Sequence, residues 1–167
     1  MPKYCLDMSG LSNPAVTMPQ DIHRSLWAAI DGLIVTGVFA TTSEVYEELT
    51  HIPPPIGDCI AQNQRALVHE VGNGDWNWKS YLGHTTRMQA EYEKFISERN
   101  NNREHTVNLN DLSVIALGKT LSLPVVSMES RRGVNAKARR AIPDICDAEK
   151  MEHMSFSELL RAEGIAL

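Results

Sequence analysis

Short apolar runs alternate with stretches of helical periodicity along this chain, and that alternation limits the fold more than any other feature. Residues 4–6 of YCLDMSG form an apolar run that ends at Asp7, a strand signal followed by the turn-rich SGLSNP. Ile22, Leu26, Ala29, Ile30, Leu33 and Ile34 recur at three- and four-residue steps and predict a helix that stops near Gly37, before a second strand at Val38 and Phe39. Thr41 and Glu44 stand at a capping-box spacing and open a helix through Val45, Glu48 and Leu49, closed by Pro53, Pro54 and Pro55.

Another helix is expected over residues 56–71, then a loop at GNGDWNW and an amphipathic stretch over residues 79–99. ERNNNRE reads as a connector. Leu112, Ile115, Ala116, Leu117 and Leu121 then mark a helix from Asp111, and residues 124–126 a strand with Ser127 and Glu129 beyond its end. The tail holds the basic loop SRRGVNAKARRA, the short apolar piece IPDIC and a last helix opened by the capping box of Ser155 and Glu158. Strands alternating with helices are the pattern of an α/β chain with a central parallel sheet in three α/β/α layers.

At 167 residues, 43% of them hydrophobic and 22% charged, the chain suits one domain over its whole length, 1–167. Its formal charge of −5 repels nucleic acid as a whole, so any contact with a phosphate backbone depends on a local basic patch. Three cysteines, Cys5, Cys59 and Cys146, without a CxxC spacing argue against a disulfide framework and a zinc site. MPKYCLDMSG lacks the basic start and apolar core of a signal peptide, and no apolar run approaches the roughly 18 residues of a membrane span. A reduced, cytoplasmic location without membrane attachment is the expectation.

Asp7, Glu48, Asp111 and Glu129 lie at the ends of the expected strands or near the starts of the expected helices. Right-handed crossovers put the C-terminal ends of parallel strands on one edge, so these acids are expected to face one crevice. Carboxylates within about 4–6 Å raise one another's pKa unless a cation neutralises them. Oxygen ligands of this kind suit Mg²⁺ or Mn²⁺, which activates water and shields a phosphate during phosphodiester hydrolysis. One ion, or two about 3.5–4 Å apart, fits four acids equally. Taken singly, each acid is explicable: Asp7 as a turn cap, Asp111 as a first-turn helix carboxylate, Glu129 as a solvated loop residue, and Glu48 by a like-charge spacing from Glu44 whose cost is too small to prove function. The joint pattern carries the reading.

In this order the pieces resemble a PIN domain, the ribonuclease fold of VapC-type toxins in bacterial toxin–antitoxin pairs. YCLDMSGL is similar to that family's strand ending in Asp-Thr-Ser/Asn, SEVYEEL to its helix with Glu before Leu, and LNDLSVIALGKTLSLPVVSMES to its Asp-xx-Ile-Ala-xx-Ala helix, strand and Val-Thr-x-Asp. A closer likeness is to a PIN-like branch described only as a domain of unknown function, with its Val-Val-Thr-x-Glu, Ile-Pro-Asp-Val-Cys and Phe-xx-Leu-Leu-Arg-xx-Gly matched by PVVSMES, IPDIC and FSELLRAEG. The match is weak over residues 52–103.

The resemblance implies that Asp7, Glu48, Asp111 and Glu129 bind Mg²⁺ or Mn²⁺ and that the hydroxyls of Ser9 and Ser127 orient them. It implies a metal-dependent endoribonuclease, an RNA substrate, a cognate antitoxin that inserts a segment near the acids, and a homodimer. Two departures stand out: Met8 replaces the usual Thr or Ser, and Glu129 the shorter Asp. These departures favour the alternative of a catalytically weak or inactive module that binds RNA or protein. An aspartyl-phosphate enzyme using Asp7 would need a second Asp two residues on, where Ser9 stands.

Arg131, Arg132, Lys137, Arg139 and Arg140 place five of the 16 lysines and arginines within ten residues directly after Glu129. They read as a grip on substrate phosphates, as a solvated loop, or as a surface for an acidic partner segment. Asp144 in IPDIC is an extra acid, with a purely structural role as its commoner reading. Trp76, Trp78 and Tyr81 offer stacking faces for unpaired bases, although loop packing onto helices is the commoner use. The six histidines are scattered without HExxH and give no zinc signature.

Overall fold

A computed structural model describes residues 1–133 and 137–166; residues 134–136 of the expected basic loop, and Leu167, lie outside the described residues. Four short strands, β1 (Tyr4–Leu6), β2 (Phe39–Ala40), β3 (Val125–Val126) and β4 (His153–Met154), form an all-parallel sheet in the order β2-β1-β3-β4. Cys5 stands opposite Ala40 on one side and Val125 on the other, and Val125 stands opposite His153. Cys5, Leu6, Phe39, Ala40, Val125 and Val126 are fully buried, as strands covered on both faces by helices require. The sheet is the middle of three α/β/α layers.

The helices are α1 (Ser9–Thr17), α2 (Arg24–Val35), α3 (Ser43–Leu49), α4 (Ile56–Gln62), α5 (Gln64–Leu67), α6 (Trp78–Glu91), α7 (Leu109–Leu121), α8 (Ile142–Ala148) and α9 (Phe156–Ala162). Helix α1 corrects the reading of SGLSNP as a turn. Its Gly10 and Leu11 are buried, and a Cβ on Gly10 would stand 2.9 Å from the Val126 carbonyl oxygen. Glycine there permits a close approach of helix to strand, a use that local propensity does not reveal.

Other boundaries move for similar reasons. Helix α2 begins at Arg24, leaving Ile22 70% exposed, while Trp27 turns inward, donates from Nε1 to the Met18 carbonyl at 2.7 Å and stacks on Phe156. The cap of α3 is Thr42, whose Oγ1 accepts from the Val45 amide, whereas the buried Thr41 donates its hydroxyl to the Leu6 carbonyl at 2.9 Å. The expected helix over residues 56–71 breaks at Asn63 into α4 and α5, after which Val68 pairs with Thr41 beside the sheet. The stretch after α6 continues as two 3-10 turns, Glu93–Phe95 and Ser97–Arg99. IPDIC is helical in α8, where the Asp144 carboxylate accepts the Ala141 amide at 2.9 Å. The Ser155–Glu158 capping box opens α9 as the sequence predicts.

Helix α7 packs against β1, β3, α6 and α8, which places it centrally. A buried polar cluster ties these helices together. Glu149, 6% exposed, receives Arg87 of α6 at 2.6 and 3.0 Å, the Tyr92 hydroxyl, and Lys119 of α7 at 3.4 Å. Arg87 and Tyr92 hold its carboxyl down to about 2 against the opposing effect of burial. No helix among the described residues is long and apolar enough to cross a membrane.

Replacing Glu149 with Ala strands the Tyr92 hydroxyl and two cations. The expected cost is about 2 kcal/mol, moderated because Arg87 and Lys119 keep part of their surface in water. Chemical denaturation of the variant against the parent protein measures it.

Candidate functional site

The strand order 2-1-3-4 makes the β1/β3 pair the switch point of the sheet, where one connection leaves to each side and a crevice opens beyond the strand ends. Asp7 occupies that edge. Its amide donates to the Val126 carbonyl at 3.0 Å, so its backbone still belongs to the ladder while its side chain has left it. Ser9 then fixes the carboxylate, donating to Oδ2 from its amide at 3.0 Å and from its hydroxyl at 2.6 Å. The same hydroxyl accepts the Met128 amide at 3.0 Å, so Ser9 joins the end of β1 to the turn after β3.

Ser127 works in parallel on the other strand. Its buried Oγ accepts the Glu129 amide at 3.3 Å and lies 2.7 Å from Nε2 of His153 in β4. Glu129 in turn accepts the Ile142 amide at the start of α8, at 2.7 Å. His153 is a contact the sequence did not signal, because β4 is only two residues long and brings it there by pairing with β3.

Helices α3 and α7 contribute the other two acids. The Thr42 and Ser113 hydroxyls are 3.0 Å apart, holding the start of α3 against α7, and Asn110 donates to Glu48 Oε1 at 2.7 Å. Asp111 is the N3 residue of a capping box: it accepts the Asn108 amide at 2.9 Å while Asn108 accepts the Asp111 amide at 2.7 Å. Asp111 is therefore a helix cap and a member of the cluster at once.

The electrostatics join all four acids. Burial raises the Asp7 carboxyl against the lowering effect of Ser9, and the Glu48 charge raises it further. Burial, then the charge of Asp7 and those of Glu129 and Glu48, push Asp111 up to about 8. Burial also raises Glu129, which the Ile142 amide opposes and Asp7 reinforces. Among the described residues, none of the four belongs to an ion pair. As placed, no three His, Cys, Asp or Glu side chains among the described residues form a group that holds a metal ion. The acids share one field without converging on one point.

The basic residues divide. Arg131 pairs with Asp147 at 2.7 Å and Arg140 lies 4.7 Å from the centre of the Phe95 ring, so both are engaged in the fold. Arg132 is half-buried, its amide donates to Asp144, and its charge lowers Glu129. Lys137 and Arg139 are exposed. Asp144 serves the backbone of Arg132 and Ala141. Trp76 packs edge-on against His69 and donates to the Glu70 and Asn73 carbonyls, Tyr81 is buried, and Trp78 carries Lys79 over its ring.

The family described as a domain of unknown function (DUF4411) matches residues 4–167, from the first residue of β1 through all four acids. The chain belongs to that family. No curated protein matches it. The DUF4411 description names no activity, so the chemistry of this member rests on its own geometry.

A raised carboxyl pKa in the folded state stabilises the fold at low pH and loses that contribution as pH rises. For Asp111 the loss spans the interval from 3.8 to about 8. Thermal unfolding of the ion-free protein is expected to show a falling midpoint across this interval, with Asp111→Asn flattening the fall while keeping an oxygen for the Asn108 amide.

Proposed function

We propose that this chain is a Mg²⁺- or Mn²⁺-dependent endoribonuclease of PIN type that hydrolyses RNA phosphodiester bonds as the toxin of a toxin–antitoxin pair. One observation carries the reading: Asp7, Asp111 and Glu129, buried or half-buried at the sheet's switch point, have raised carboxyl pKa values to which neighbouring acids, Glu48 of α3 among them, contribute, and among the described residues none of the four acids is in an ion pair. The buried Glu149, by contrast, is paired with Arg87 and Lys119. Acids left to repel one another are the arrangement expected of a functional site.

Asp7, Glu48, Asp111 and Glu129 would hold the ion. A bound divalent cation supplies charge neutralisation at phosphorus and acidifies water. Ser9 spends its amide and hydroxyl on Asp7 Oδ2, which commits that carboxylate oxygen to position. Ser127 holds the turn that carries Glu129. Arg132, Lys137 and Arg139 supply the positive charge nearest in sequence for the RNA backbone. Three cysteines without disulfide bonds suit a reducing cytoplasm. An antitoxin partner and a homodimer follow from the PIN resemblance.

A second reading, a PIN-like module that binds RNA or protein without cutting, is favoured by the commitments of two acids. Asp111 is oriented by its capping box and Glu129 by the Ile142 amide, and neither points to a shared centre with two further acids as placed.

Cleavage of total RNA by the purified protein separates the two. Mg²⁺ or Mn²⁺ is expected to support it, and EDTA or Asp7→Asn to abolish it. Ser9→Ala is expected to slow it by about 10–100-fold through loss of orientation. RNA that is bound but left intact under every metal condition selects the binding module.

A further inference from the structure

Two consecutive amides in the turn after β3 are caught by serine hydroxyls. Ser9 Oγ accepts the Met128 amide at 3.0 Å, and Ser127 Oγ accepts the Glu129 amide at 3.3 Å. A buried hydroxyl that accepts one bond still carries a proton in need of an acceptor. For Ser9 that acceptor is a site residue, Asp7 Oδ2 at 2.6 Å. For Ser127, which is fully buried, it is Nε2 of His153 at 2.7 Å. His153 thus stands to Ser127 as Asp7 stands to Ser9.

The direction of this bond follows from the state of the ring. Burial lowers the His153 pKa, and the Arg131 charge lowers it further against the opposing charges of Glu158, Asp147 and Asp144. A neutral imidazole with its proton on Nδ1 leaves Nε2 free to accept. The other tautomer would bring a second donor to the hydroxyl oxygen and leave the buried hydroxyl proton unspent. A serine beside a histidine is also the arrangement of an activated nucleophile, but the burial of Ser127 closes its oxygen to substrate.

The ring is carried by a paired strand rather than a loop. His153 stands opposite Val125 in the β3/β4 ladder, and the Ser127 amide donates to the Met154 carbonyl at 3.1 Å. At the start of α9 the Phe156 amide donates to Met128 Sδ at 3.4 Å. The edge strand and the entry to α9 therefore run alongside the turn that carries Glu129. Glu129 is held at both ends: its amide by Ser127, its carboxylate by the Ile142 amide of α8 at 2.7 Å.

Resting on the ion site of the ribonuclease reading, we infer that His153 is a positioning residue: it fixes the Ser127 hydroxyl from the edge strand and, through it, the turn that presents Glu129. Partners of this kind orient ligating groups without touching the ligand.

Mn²⁺ binding, read by electron paramagnetic resonance without RNA, tests this. The parent protein is expected to bind Mn²⁺ and His153→Leu to weaken that binding by about 10–100-fold. His153→Gln, whose side-chain amide reaches about as far as Nε2, should recover most of the loss. Because His153 acts through Ser127, Ser127→Ala should weaken binding to a similar extent, and adding His153→Leu to it should have no further effect. In the ion-free protein, the Glu129 amide is expected to exchange with solvent about tenfold faster in His153→Leu, the effect of one lost hydrogen bond. If circular dichroism shows His153→Leu unfolded, His153→Asn, polar but too short to reach the hydroxyl, takes its place. Unchanged Mn²⁺ affinity in the folded variant overturns the inference and leaves the ion site standing, and so do losses from Ser127→Ala and His153→Leu that simply add. Unchanged exchange at Glu129 overturns it as well. A parent protein that binds no Mn²⁺ removes the ion site, and the inference with it.

Discussion

The placement of β1 between two parallel neighbours governs the rest of the molecule. Its backbone is consumed on both edges: the Lys3 and Tyr4 amides reach Val38, the Cys5 amide reaches Pro124, the Asp7 amide reaches Val126, and Thr41 donates its hydroxyl to Leu6. Its three side chains are buried. A strand so enclosed can present a polar group only past its end, and Asp7, 4% exposed, sits there. The carboxylate is almost wholly out of water by the same geometry that stabilises the sheet, and burial of a charge is costly unless something compensates it. Ser9 supplies part of that compensation and links Asp7 to the turn carrying Glu129.

Two kinds of buried acid occur in this fold, and their environments are opposite. Glu149 is enclosed by Arg87, Lys119 and Tyr92, and its carboxyl is held low. Asp7, Asp111 and Glu129 are enclosed by hydrogen-bond donors and by one another, and all three are raised. The first arrangement joins three helices. The second gathers mutually repelling acids at the position where α/β sheets bind their ligands.

Much of the fold was legible because local chemistry and tertiary role agree. The apolar run at residues 4–6 becomes β1 and the run at 124–126 contains β3, the three- and four-residue spacing expected from Ile22 becomes α2 from Arg24, and Ser155 with Glu158 caps α9. Disagreements arise where a long-range contact outweighs propensity. Gly10 and Pro14 read as turn residues, but the close approach of Gly10 to Val126 and the burial of Leu11 make the segment a helix. His153 and Met154 are too short a run to signal a strand and become one by pairing with β3. The basic cluster looked uniform in sequence, yet Asp147 and the Phe95 ring, distant in the chain, claim Arg131 and Arg140.

By itself the sequence determined the α/β alternation and the location of the four acids relative to it, since both follow from periodicity and from residue type at element ends. Only the tertiary structure decided what surrounds those acids. Ser9 bridging two strands, His153 against Ser127 and Asn110 on Glu48 all bring together residues far apart in the chain or on different elements. Periodicity reports which face of an element is buried; it carries no information about which other element covers that face.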